Sequence, residues 1–203
     1  MTTATEHRPQ SHRRDNPTTA VDRLLVVLLG LAAIFAIAPA ASGYVLQGCK
    51  FASSVTPSVV YEENSLTTDV ASAVSAAQGQ WDVHTGSTTY FVAGSGDANI
   101  EINDGDYGNT AWVAQWSYGC SGGYYTSDEG NMNFNLYHTW SYDSYELQVV
   151  ATHEFGHAYG LGHNSDGCGS WWQNVMQAGP DKFTCSGGAP PWTDDVNGWD
   201  YLY

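Results

Sequence analysis

From Ser58 onward the apolar positions of the chain fall into short blocks, and their period changes from two to three or four and back. Ser58-Val59-Val60-Tyr61 is rich in β-branched and aromatic residues and predicts a short strand. Between Thr67 and Gln80 the apolar residues Val70, Val74 and Ala77 lie on one stripe, which predicts a helix capped by Ser65 or Thr67, with Trp81 packing into the core after it. Thr88 to Val92 and the alternating Asn99-Ile100-Glu101-Ile102-Asn103 predict a second and a third strand. Ala111 to Trp116 is the fourth and Asn133 to Tyr137 the fifth, with a Gly-, Tyr- and Ser-rich loop from Tyr118 to Asn131 between them. A second long helix starts at a cap of Asp143 or Ser144, with Glu146 in its first turn. Leu147, Val150, Ala151, Glu154 and Ala158 run along one of its sides and anchor it. Asn164 to Gln173 reads as loop, and Thr193 caps a closing helix with Asp194 and Asp195 in its first turn.

The first 40 residues follow a different pattern. Four arginines precede an apolar run from Leu24 to Ala38, and Ala38-Pro39-Ala40 fits a small-residue cleavage site. The run is short for a membrane span, so residues 1–40 read as a secretory signal, cut between Ala40 and Gly43, and residues 41–203 as one domain. Without the leader, two lysines (Lys50 and Lys182) stand against eighteen acidic residues, a net charge of −16. Such a surface repels nucleic acid and anionic membranes, so the expectation is a secreted, extracellular, monomeric protein with no stable membrane association.

The chemistry is concentrated in His153-Glu154-Phe155-Gly156-His157-Ala158-Tyr159-Gly160-Leu161-Gly162-His163. His153 and His157 are four apart, so on a helix both imidazoles project from one face and can share a metal ion. Gly160 can adopt positive φ, which ends the helix and returns the chain so that His163 supplies a third nitrogen. Three imidazoles leave an open coordination position, the arrangement of a catalytic zinc rather than a structural one, and imidazole suits zinc better than magnesium or calcium. Glu154 sits beside the metal with no ligand role, as a base for a zinc-bound water.

This stretch resembles the zinc signature of the metzincin metalloproteases, HExxHxxGxxH followed by a methionine turn, here Met176 in Asn174-Val175-Met176-Gln177. The tail from Thr193 to Tyr203 resembles the last helix of the matrixin branch. The resemblance implies an α/β (α+β) fold with a twisted, mostly parallel five-stranded sheet, an antiparallel edge strand, two long helices and a small C-terminal subdomain ending in a helix. It implies a secreted zinc endopeptidase of minimal, bacterial type, with Glu154 as catalytic base, His153, His157 and His163 as metal ligands, and Met176 packed beneath the metal. In the family the fourth strand edges the cleft and pairs with an extended peptide substrate. Three departures stand out. No histidine occurs between Gly94 and Asn131, which argues against the second zinc of animal matrixins. Ala178 stands where astacin-like and serralysin-like members place a tyrosine, and no segment has the length of a prodomain. The rival readings are a hydrolase of non-protein amides and a secreted zinc-binding adhesion module. Retention of Glu154 argues against the second, because a structural site needs no base.

Four cysteines in an exported chain suggest two disulfides and admit three pairings. Cys168 and Cys185 bracket Met176, so a bridge between them would hold the pocket segment, leaving Cys49 to pair with Cys120. Asp104 and Asp106 flank Gly105 and are candidate calcium ligands, a solvated turn being the plainer reading. His138 is a lone histidine read as a surface or packing residue, and Trp171 and Trp172 as pocket or core residues.

Overall fold

The computed structural model describes residues 43–85, 88–126, 130–164, 174–179, 183 and 189–203. The leader with its cleavage site, Cys168, Cys185, Trp171 and Trp172 lie outside these residues. The element order is β1 (Val45–Leu46), β2 (Ser58–Glu63), α1 (Thr68–Thr85), β3 (Tyr90–Ala93), β4 (Ile100–Gly105), β5 (Ala114–Ser117), β6 (Cys120–Ser121), β7 (Tyr124–Tyr125), β8 (Gly130–Asn135), α2 (Leu136–Thr139), α3 (Ser144–Tyr159), β9 (Leu161–Gly162) and α4 (Thr193–Leu202). Five strands form one sheet in the order β3-β2-β4-β8-β5. β2 runs parallel to β3 and β4, and β4 parallel to β8, while β5 pairs antiparallel with β8 at the edge. This is the mixed sheet with an antiparallel edge strand that the resemblance implies. No helix among the described residues is long and apolar enough to cross a membrane.

The helix boundaries differ from the sequence reading for identifiable reasons. Helix α1 continues to Thr85 because Trp81 and Thr85 extend the buried stripe of Val70, Val74 and Ala77 by one and two further turns. Trp81 therefore lies within the helix, fully buried, and its indole N–H donates to the Thr152 carbonyl of α3 at 2.9 Å. The start of α1 is held from outside: the Asp104 carboxylate, on β4, accepts from both the backbone N–H and the hydroxyl of Thr67, each at 2.7 Å. The fifth strand starts and ends earlier than its apolar pattern suggests. Asn135 turns the chain into α2, its side-chain oxygen accepting from the Tyr137 N–H at 3.1 Å and from the Tyr107 N–H at 3.0 Å. The expected loop after β5 contains the small hairpin β6–β7.

Helix α3 is buried almost all round, not only along one side. Phe155 packs on the sheet residues Phe91 and Tyr61, with ring centroids 4.6 and 5.9 Å away. Tyr159 meets Trp81 of α1 at 5.0 Å and Trp199 of α4 at 6.3 Å. Burial of aromatic and aliphatic side chains of this size contributes roughly 1.5–3 kcal/mol each. The segment that carries the functional residues is thus the central rod of the fold.

Candidate metal centre

Helix α3 begins with a capping box: Asp143 Oδ1 accepts from the Glu146 N–H at 2.8 Å, and Glu146 Oε2 accepts from the Asp143 N–H at 3.0 Å. It ends at Gly160, whose φ of 107° turns the chain into β9. β9 pairs antiparallel with β1, Leu161 opposite Leu46 and Gly162 opposite Val45, and delivers His163. A Cβ at position 160 would lie 2.4 Å from the Cys49 carbonyl oxygen. Gly160→Ala is therefore expected to cost about 1–3 kcal/mol in backbone conformation alone, with the displaced Cys49 carbonyl adding to it. Urea unfolding of the variant beside the parent checks this, and an unchanged midpoint would contradict it.

The fold brings the three histidines together. Their ligand atoms all lie within 4.8 Å of one another. Nε2 of His163 is 3.2 Å from that of His153 and 3.0 Å from that of His157. Three nitrogens about one tetrahedral zinc, at 2.0–2.1 Å each, would stand about 3.3 Å apart. The rings are oriented from behind: Nδ1 of His153 donates to the Val175 carbonyl at 2.7 Å, and Nδ1 of His157 to the Leu161 carbonyl at 2.7 Å. A proton held on Nδ1 leaves the Nε2 lone pairs directed at the shared centre, the tautomer that ligation requires. The donor set therefore fits a borderline metal ion such as zinc. No other group of three potential ligands gathers among the described residues.

Met176 is buried against α3. A Cβ on Gly156 would fall 2.2 Å from the Met176 sulfur, so the missing side chain is what lets the methionine seat against the helix. Glu154, only 3% exposed, borders the same cleft as the three histidines. That cleft has a volume of about 700 Å³. Its walls come from the run Ala111 to Trp116, from the rings of Tyr118, Tyr142 and Phe183, and from Gln47.

A family profile decides what this arrangement belongs to: the matrixin profile matches residues 51–203. The chain is a member of the matrixin family. It is similar to human matrix metalloproteinase-27, 34% identical over 76 residues, and to matrix metalloproteinase-18 of Xenopus laevis, also 34% identical over 76 residues. Each match covers 36% of this chain and 14% or 15% of the relative. The chain thus spans about a seventh of the curated relatives it matches.

Two supports of this matrixin centre escape a sequence reading. Asp194 and Asp195 read as helix-dipole residues, yet both are buried. The N-cap position of α4 is Trp192, not Thr193, and the Trp192 N–H donates to Asp195 Oδ2 at 2.8 Å. The same oxygen accepts from the Val175 N–H at 2.9 Å, next to the carbonyl that holds His153. Burial pushes the Asp195 carboxyl up to about 7, against the backbone N–H donors that pull it down. The other support is Gln47, which lies beside His157.

Cys49 and Cys120 form the expected disulfide, with Cα atoms 6.1 Å apart. Asp104 is engaged with Thr67, and Asp106 Oδ1 accepts from the Gly108 N–H at 2.9 Å. His138 packs through Nε2 against the Thr110 carbonyl at 2.9 Å.

Proposed function

We propose that this matrixin is a secreted, monomeric zinc endopeptidase, with the leader removed between Ala40 and Gly43 and residues 41–203 as the catalytic domain. The observation that carries the reading is the meeting of three Nε2 atoms and Glu154 in one cleft bordered by a sheet-edge strand. His153, His157 and His163 would hold the zinc. Zinc bound there supplies Lewis acidity toward the scissile carbonyl and toward water. Glu154 takes a proton from the attacking water and returns it to the leaving amine as the C–N bond breaks. Among the described residues β5 has a neighbour on one side only, so its other edge can pair with an extended peptide through main-chain hydrogen bonds. The apolar rings around the cleft then select the side chain that enters it.

The test is a casein or gelatin clearing assay on purified protein, run with and without a strong chelator. Clearing is expected, with loss on chelation and recovery on returning one equivalent of zinc. Absence of clearing by the zinc-loaded protein would overturn the reading.

A further inference from the structure

The opening segment reaches into the back of the metal centre. Gln47 directly follows β1, and its backbone N–H donates to the Gly160 carbonyl at 2.8 Å. Two residues later the Cys49–Cys120 disulfide fixes the segment to β6. Gln47 is thereby tied in place on both sides, and its side-chain amide reaches the ring of His157, with Nε2 placed 2.7 Å from Nδ1.

Nδ1 of His157 also lies 2.7 Å from the Leu161 carbonyl oxygen. A carbonyl oxygen has no proton to give, so at that distance Nδ1 must carry the hydrogen and donate it. An amide NH₂ pointed at the same Nδ1–H would set donor against donor. The two ends of an amide exchange places by a half-turn about its last bond, which brings Oε1 to the ring. With Nε2 at the ring, Oε1 is buried and has no hydrogen-bond partner among the described residues, so none of them holds the oxygen on the far side.

We propose that Gln47 is a positioning residue for His157: its amide oxygen shares the Nδ1–H with the Leu161 carbonyl, fixing the Nδ1–H tautomer and making Nε2 a stronger donor to the metal. The proposal rests on the reading of His153, His157 and His163 as metal ligands. Its physical basis is general: partners behind a ligating imidazole set ring orientation and basicity, and their loss typically costs about 10- to 100-fold in metal affinity.

The experiment compares the parent protein with Gln47→Leu, which has no acceptor, and Gln47→Glu, which keeps one. Zinc affinity is measured by competition with a chromophoric chelator, and geometry by the visible spectrum of the cobalt(II)-loaded protein. Gln47→Leu is expected to bind zinc about 10- to 100-fold more weakly and to alter the cobalt bands, with an unchanged melting temperature in the metal-free state. Gln47→Glu is expected to bind at least as tightly as the parent. If Gln47→Leu does not fold, the unbranched Gln47→Met carries the same expectation. A Leu or Met variant within twofold of the parent, or a Glu variant that falls as far as Leu, would overturn the role of Gln47 alone. A parent protein that binds neither zinc nor cobalt would overturn the metal centre and this role with it.

Discussion

Glu154→Gln is expected to lose about 100- to 10,000-fold in peptide hydrolysis while keeping its fold and its metal, the usual range for removal of a general base. The side chain is 3% exposed and sits between two of the grouped histidines in the chain without belonging to the group. Glutamine preserves its shape but cannot take a proton from water at neutral pH. It also leaves no unpaired charge in the interior, so stability should change little. The decisive comparison is kcat on a fluorogenic peptide alongside zinc content and melting temperature. Near-parental turnover with full zinc occupancy would sink the proton-transfer role.

His163→Ala is expected to lower zinc affinity by more than the roughly 10- to 100-fold typical of losing a supporting partner, because it removes a ligand outright. His163 is exposed and arrives from β9. His138→Ala serves as the control, since that ring is engaged with the Thr110 carbonyl. Atomic absorption on both variants after dialysis against a weak chelator separates them. Equal metal loss would mean that the third ligand has been misassigned.

Features whose partners are near in sequence were legible before any coordinates. The capping box joins Asp143 to Glu146, three residues on, and the histidine spacing and the Gly160 turn are equally local. What escaped depends on partners far along the chain. Asp104 caps α1 from 37 residues away. Asp195 grips Val175 from 20 residues away, and Gln47 reaches His157 across 110. The early end of β8 was hidden for a related reason. Leu136 and Tyr137 continue the apolar pattern of a strand, and the hydrogen bonds of Asn135 override it.

The pairing of β1 with β9 has a consequence for how the molecule is assembled. Val45 and Leu46 have their strand partners at Gly162 and Leu161, and the Gly43 carbonyl accepts from the Asn164 side chain 121 residues on. During synthesis Val45 and Leu46 emerge well before β9, so this pairing waits until α3 and its turn have followed. Closing a loop of this length carries an entropy cost that the local contacts of α3 do not. The three histidines meet through a local turn, but the strand that delivers His163 is paired with residues from the far end of the domain, so the hold on the third histidine depends on the opening segment being docked.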